Sequence, residues 1–314
     1  CKCWKWYVMS GLAKKLIMDN EFNSEQIAEL WDISSSCGHD EDVNMHEHYK
    51  KDKKGVHGAH GVQGEADDYL VEYKTNPEII ETNNPITFTF NIKDKSGKPA
   101  NLEISHERIL HIVIVSEDFS VFKHIHPEDF GGIEDMKQSG SYSVEFTFPR
   151  AGKYIVAIDF MVNDEMVAKH YIIDVDGEPK LDELNPDFSR EFNFDGYEVE
   201  LTLPDNVASV KEVTLNYEIE KDEEPVTDLE PYLGAPMHVA VISSDLKNFV
   251  HTHGELEDSG MIHEGMKHEM GLPDKFGPEI KAHVTFPAKG IYFVAGEINH
   301  KGNVIVTKFM VDVK

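Results

Sequence analysis

Histidines recur in this chain with the same spacing at two places. At each place a first histidine is followed, after twelve residues, by a His-x-His pair. The two sets are His111, His124 and His126, and His238, His251 and His253. Three imidazole nitrogens can bind a transition metal at about 2.0 Å and leave a coordination position open. The spacing therefore predicts a metal site wherever the imidazoles of a set come together.

A β-hairpin would bring each set together. Alternate residues of a strand share a face, so His124 and His126 are expected to point the same way. A turn centred between Asp118 and Phe119 would then place His111 opposite His126, with Cβ atoms roughly 5 Å apart. The same arithmetic places the first histidine of the second set opposite its last. We therefore expect three imidazoles on one face of each hairpin.

The two sets belong to an internal repeat. Residues 111–128 match residues 238–255 without a gap, and seven of the eighteen positions are identical, including all three histidines. Residues 147–154 match residues 285–292, but with an offset eleven residues greater than that of the first match. The second copy therefore has a longer loop between the two matching segments. Because the copies differ at most other positions, retention of the full set favours a shared function over simple alternation on a half-exposed strand.

Further candidate ligands flank the two sets. Glu128 and Glu255 each follow the last histidine by two residues, and we expect them either to complete the coordination or to orient an imidazole, with solvated surface acids as the alternative. The longer loop of the second copy alternates thioether and imidazole donors. These are Met261, His263, Met266, His268 and Met270. Such a mixture suits Cu(I), although a loop that merely samples common residues is the competing interpretation.

Composition restricts the partners. The 314 residues include 58 acidic and 30 basic side chains, and the formal net charge of −28 repels nucleic acid and attracts cations. No nucleic-acid partner is expected. Seventeen histidines and eleven methionines supply nitrogen and thioether donors, a mixture that copper accepts more readily than magnesium or calcium does. The expected cofactor is copper, as Cu(I) or Cu(II), with zinc as the alternative.

Patterning along the chain predicts an all-β fold. Short runs of β-forming residues, separated by turn residues every ten or so positions, are typical of sandwiches and barrels. We expect two tandem β-sandwich domains after a helical N-terminal segment and a flexible histidine-rich tether. The predicted parts are 1–33 (helical segment), 34–68 (tether), 69–177 (first sandwich), 178–195 (acidic linker) and 196–314 (second sandwich).

Cysteine placement bears on both the metal and the compartment. Cys1, Cys3 and Cys37 all precede the two sandwiches, so neither domain can supply a thiolate ligand. The first residue is typical either of a processed lipoprotein, lipidated at that cysteine, or of a truncated chain. We expect an extracytoplasmic protein, periplasmic or at the cell surface, with membrane contact only through such a lipid. This expectation is inferred without a visible signal peptide.

Two short motifs carry a family resemblance. The Phe-Pro-x-x-Gly-x-Tyr segments at 148–154 and 286–292 resemble the turn and penultimate strand of cupredoxin-like and immunoglobulin-like sandwiches. The strand with histidine followed by His-x-His resembles that of secreted proteins that handle heavy metals, copper among them. Blue-copper proteins place a cysteine ligand about four residues after the tyrosine. Ile158 and Gly296 stand there instead, so a blue-copper electron-transfer site is excluded.

Three functions remain open on the sequence. The leading hypothesis is copper buffering, delivery or resistance, with one ion in the three-histidine cluster of each repeat and a membrane metal transporter or another extracytoplasmic protein as partner. A metal-dependent enzyme is the second, with a general base drawn from Glu128, Glu255, Asp159 and Glu297. A surface structural or adhesive protein with incidental or structural metal is the third. Because two identical sets suggest binding capacity more than one catalytic pocket, we expect no enzyme.

Overall fold

The computed structural model describes residues 69–256 and 272–314. This part of the chain is almost entirely β-structure, arranged as two sandwiches in tandem, which confirms the predicted fold class. No helix within the described ranges is long and apolar enough to cross a membrane. The predicted N-terminal helices and the tether lie outside the described residues.

The first sandwich contains seven antiparallel strands in two sheets. The strands are β1 (Tyr69–Asn76), β2 (Pro85–Asp94), β3 (His111–Ser116), β4 (Phe122–Ile125), β5 (Ser141–Thr147), β6 (Gly152–Val162) and β7 (Glu165–Val175). One sheet has the order β1-β2-β5 and the other β4-β3-β6-β7. A 3-10 turn (Pro127–Asp129) and helix α1 (Ile133–Ser139) connect β4 to β5.

The second sandwich repeats this plan. Its strands are β8 (Glu191–Phe194), β9 (Tyr197–Thr202), β10 (Glu212–Lys221), β11 (Glu224–Pro225), β12 (His238–Ser243), β13 (Phe249–Glu255), β14 (Glu279–Thr285), β15 (Gly290–His300) and β16 (Asn303–Val313). One layer runs β8-β9-β10-β14 and the other β13-β12-β15-β16, and the last two residues of β13 also pair with β14. Strand β8 falls within the segment predicted as a linker, where Phe192 packs on the core.

Strands β3 and β12 are buried at every position, unlike β2 and β10 in the opposite layers, where buried residues alternate with more exposed ones. Ile112 and Ile114 enter the core of the first sandwich, whereas Val113 and Val115 on the opposite face enter a separate apolar cluster. That cluster, the interdomain cluster, has members from both sandwiches. They are Val113, Val115, Phe119, Ile155, Ala157, Ala240, Ile242, Leu246, Phe249, Phe293 and Ala295. The two sheets therefore pack face to face.

The hairpin turns contribute to this contact. Phe119 and Leu246 occupy equivalent positions, and both have φ of 60°, which is strained for a bulky side chain. In the first turn Ser116 Oγ donates to Asp118 Oδ1 over 2.6 Å, and the equivalent bond in the second turn has the same length. Both strained residues bury their side chains in the interdomain cluster, where apolar burial offsets the strain.

Removal of one ring should test the interdomain contact. Phe293 is 1% exposed and stacks on Phe119 with ring centroids 4.8 Å apart. We expect Phe293→Ala to lower the free energy of unfolding by about 3–5 kcal/mol in urea denaturation, since a buried aromatic side chain is replaced by a cavity. The control, Phe194→Ala, removes a ring that is 56% exposed and should change little. Equal effects of the two variants would contradict this packing.

Candidate metal centre

The register of the two hairpins gathers each histidine set as predicted. Strands β12 and β13 pair His238 directly with His253. Strands β3 and β4 pair Val113 with His124, which is the register that brings the first and last histidines of that set opposite each other. The predicted hairpin is therefore confirmed in both repeats.

The face that carries the histidines is the face on which the sandwiches meet. His111 shares its side of β3 with Val113, and His238 shares its side of β12 with Ala240, both members of the interdomain cluster. As a result, the two sets are neighbours. One nitrogen from each of His111, His124, His238 and His251 lies within 4.8 Å of the other three. We call these four residues the histidine tetrad.

This arrangement differs from the two separate sites expected from the sequence. The histidine spacing defines each hairpin by itself and does not show what covers its histidine face. The continuous apolar runs of β3 and β12 carried the missing signal, since a strand buried on both faces reads as unbroken hydrophobic residues.

The tetrad is buried, and burial holds part of it neutral. Its four residues are at most 9% exposed. Desolvation lowers the pKa of His111 to about 3 and lowers the pKa of His238 well below its ordinary value, with the neighbouring imidazoles acting in the same direction. These two imidazoles are therefore uncharged at neutral pH, the form in which histidine binds metals.

Backbone carbonyls fix the tautomer of the first histidine in each set. His111 Nε2 lies 3.1 Å from the carbonyl oxygen of Ser105, and His238 Nε2 lies 3.1 Å from that of Tyr232. A carbonyl oxygen can only accept, so Nε2 carries the hydrogen and donates it in both cases. The lone pair is then on Nδ1, which points into the tetrad.

Carboxylates fix the other two imidazoles, and each crosses between the sandwiches. Glu297 accepts from His124 Nδ1 over 2.6 Å, and Asp159 accepts from His251 Nδ1 over 3.0 Å. In the sheets, each acid is paired with the first histidine of its own sandwich. Each sandwich therefore orients one imidazole of the other, and the lone pairs of His124 and His251 are left on Nε2.

The two buried carboxylates are at most 5% exposed, and one of them is strongly coupled to its imidazole. Burial by itself would raise the pKa of Asp159, but the nearby His251 outweighs it, so the pKa is lowered. For His251, burial would lower the pKa, yet Asp159 reverses the shift and raises it. Asp159 and His251 thus stabilise each other's charged form.

Ring nitrogens face one another at the centre. His111 Nδ1 lies 3.0 Å from His124 Nε2, and His238 Nδ1 lies 3.3 Å from His251 Nε2. Between neutral rings in these tautomers no hydrogen is available for either pair, so the lone pairs oppose each other unless a cation lies between them. Two nitrogens bound to one tetrahedral ion at 2.0–2.1 Å stand about 3.3 Å apart.

The four rings are also disposed as around a single ion. All six separations between their centroids fall between 5.1 and 5.7 Å. A tetrahedral ion with nitrogens at 2.0–2.1 Å would place imidazole centroids about 5.2 Å apart. The residues present therefore fit one metal ion held by four imidazoles.

The last histidine of each set lies beside the tetrad. His126 Nε2 is 3.1 Å from His124 Nε2, while His126 Nδ1 lies 3.3 Å from Asp129 Oδ2. His253 Nε2 is a buried atom without a hydrogen-bond partner, and the ring of His106 stacks on the ring of His253 at 3.6 Å.

The remaining candidate ligands lie elsewhere. Glu128 Oε1 accepts from the backbone N–H of Ile109 over 2.8 Å, so it supports the segment that leads into β3. Glu255 Oε1 lies 2.6 Å from His283 Nε2 in an ion pair whose acid is 44% exposed. The loop ligands fall outside the described residues; they are His263, Met266, His268 and Met270. The carboxylates at the tetrad are instead Asp159 and Glu297, which the sequence suggested only as general bases.

Solved structures with β-sandwich domains resemble the chain only distantly. The Escherichia coli adhesin FdeC is 12% identical at a TM-score of 0.21, over 80% of this chain and 65% of its own. A Salmonella alpha-2-macroglobulin reacted with methylamine is 9% identical at 0.24, over 81% and 15%. The D0-D1 domain of intimin is 11% identical at 0.21, over 78% and 100%. This chain therefore spans less than two thirds of the first two, and scores this low support no functional argument.

No curated protein matches the sequence. The profile of one protein family, described as a domain of unknown function (DUF8832), matches residues 64–177 and 192–314. These segments make up most of the chain and contain every member of the tetrad together with its two carboxylates. The chain therefore belongs to this family, whose own description leaves the function open.

Proposed function

We propose that the protein binds one transition-metal ion between its two sandwiches, with His111, His124, His238 and His251 as ligands. One observation carries the proposal: four ring nitrogens converge on one buried point, and a hydrogen bond on the opposite nitrogen orients each ring. Partners on the far nitrogen of a ligating imidazole are typical of protein metal sites, where they set the tautomer and raise the basicity of the ligand.

The proposed ion is copper, with zinc as its competitor. Imidazole suits both metals, and at equal availability nitrogen sites bind Cu(II) more tightly than Zn(II). Asp159 and Glu297 add two buried negative charges, which a divalent cation neutralises in surroundings where unbalanced charge is costly. The near-tetrahedral arrangement also suits Zn(II) and Cu(I), which have no geometric preference from d-electrons. Competition between Cu(II) and Zn(II) for the metal-free protein decides this point.

We further propose that the protein sequesters copper outside the cytoplasm, as a buffer or for resistance. The net charge of −28 would concentrate cations around the chain, and deep burial of the tetrad would retain an ion once bound. A membrane metal transporter or another extracytoplasmic protein would then supply or receive the ion.

A structural role for the ion is the second candidate, because its ligands come from both sandwiches. Such an ion would stabilise the interdomain contact without exchanging. Catalysis is less well supported: two surface cavities of about 370 and 330 Å³ among the described residues are lined by other side chains. Exchange of the bound ion with free isotope within minutes would favour buffering over a purely structural ion.

Metal stoichiometry tests the shared site. We expect one ion per chain, bound tightly enough to survive dialysis, in elemental analysis of protein without a polyhistidine tag. His124→Ala and His251→Ala should each abolish this binding, because each removes a ligand of the same ion. The control His283→Ala removes a histidine that pairs with Glu255 at the surface and should retain the ion. Two ions, with one lost in each variant, would instead support separate sites.

The crossed carboxylates provide a second test. Asp159→Asn and Glu297→Gln preserve shape but remove the charge that orients His251 and His124. We expect each to weaken metal affinity by about 10–100-fold in competition titrations, the usual effect of losing such a partner. Glu255→Gln, which alters a solvated acid, is the matched control. Affinity unchanged in both Asp159→Asn and Glu297→Gln would show that these carboxylates do not support the ligands.

The pH dependence of the metal-free protein provides a third test. Burial lowers the pKa of His111 to about 3, and the pKa values of His126, His238 and His253 are also lowered. Unfolded histidines titrate near about 6.5, so below that pH the unfolded chain binds more protons than the folded one. The free energy of unfolding should therefore fall as the pH is lowered from about 6.5 towards 4.

The raised pKa of His251 acts in the opposite direction, but it is one group against four. Urea denaturation of metal-free protein at several pH values measures the net effect. Stability that stays constant or rises over this interval would contradict neutral, buried imidazoles.

A further inference from the structure

His126 and His253 occupy matching positions in the two repeats, on opposite sides of the tetrad, but their surroundings differ. On one side His126 is 2% exposed, and Asp129 Oδ2 lies 3.3 Å from its Nδ1. On the other side His253 is partly exposed, and the position that matches Asp129 is occupied by Leu256. The outer histidine is therefore more exposed on the His253 side than on the His126 side.

The His253 ring is placed to share an ion with two members of the tetrad. Its centroid lies 4.6 Å from that of His238 and 4.8 Å from that of His251. Its Nε2 is buried and has no hydrogen-bond partner, an arrangement that costs free energy in the metal-free protein. His238, His251 and His253 thus form a three-imidazole set that overlaps the tetrad by two ligands.

A residue of the first sandwich covers this set. His106 stacks on His253 with centroids 3.6 Å apart and planes at 24°, and its centroid is 5.7 Å from that of His238. His106 is itself partly exposed. The matching position in the second repeat is Leu233, so only the His253 side carries this additional imidazole. A row of imidazoles therefore leads from solvent to the tetrad on one side.

We propose that the metal ion reaches and leaves the tetrad through His253. The ion first binds His238, His251 and His253, and then exchanges the bond to His253 for bonds to His111 and His124. In this second step one metal–nitrogen bond breaks and two form, and any hydrogen on His251 Nε2 has already been displaced to solvent when the ion first binds. This proposal rests on the proposed metal function and adds the direction of exchange, with His106 flanking the path.

Matched variants of the two outer histidines test the direction. Co(II) is the probe, because its visible absorption reports tetrahedral binding; uptake by metal-free full-length protein and release into excess EDTA are followed by stopped flow. His253→Phe keeps an aromatic ring for His106 to stack on but removes the nitrogens, and His126→Phe makes the same change on the closed side. We expect uptake and release to slow by about tenfold or more in His253→Phe but not in His126→Phe, because loss of a ligand on the path raises the barrier to exchange.

Equilibrium affinity for Co(II) should change little in either variant, because neither residue belongs to the tetrad. A third variant, His106→Leu, installs the residue found at the matching position of the second repeat and should also slow exchange. Equal slowing in both phenylalanine variants, or unchanged rates in His253→Phe and His106→Leu, would overturn the proposed direction. A wild-type protein that binds no Co(II) would instead remove the proposed function, and the route with it.

Discussion

Burial of the two histidine-bearing hairpin faces against each other is the constraint on which the rest of the structure depends. Apolar residues at every second position of β3 and β12 drive this contact, and the histidines at the strand ends are drawn into it. Five of the six imidazoles and two carboxylates are thereby buried, and a buried polar group needs a partner. The hydrogen bonds to the outer nitrogens of the tetrad satisfy those atoms and leave the inner nitrogens facing one another.

The pseudo-symmetry of the repeat explains how such a site can be built. In either sandwich, the first histidine is paired within its own sheet with a carboxylate that reaches the other sandwich. Duplication of one hairpin thus supplies both halves of the tetrad, whereas an isolated sandwich would present two imidazoles and one unmatched acid. Differences between the copies, such as Asp129 against Leu256, then make one side more closed than the other.

The sequence predicted the local parts of this arrangement well. Strand alternation and turn position were enough to place His111 opposite His126, because both depend only on nearby residues. The association of the hairpins could not be derived in that way, since it depends on contacts between residues more than a hundred positions apart. The same limit explains why Asp159 and Glu297 were not predicted to orient ligands. Their function at the tetrad depends on hydrogen bonds to histidines of the opposite sandwich. Glu128 was nearer in sequence but is engaged by the backbone of Ile109.

X-ray absorption at the metal edge tests the central claim most directly. For protein loaded with one equivalent of Zn(II) or Cu(II), we predict four nitrogen ligands at about 2.0–2.1 Å, with the outer-ring scattering that marks imidazole. A sulfur ligand would show that the ion is bound by other residues, such as the methionines of the loop. Oxygen ligands with fewer than three imidazoles would equally contradict a site shared by the two sandwiches.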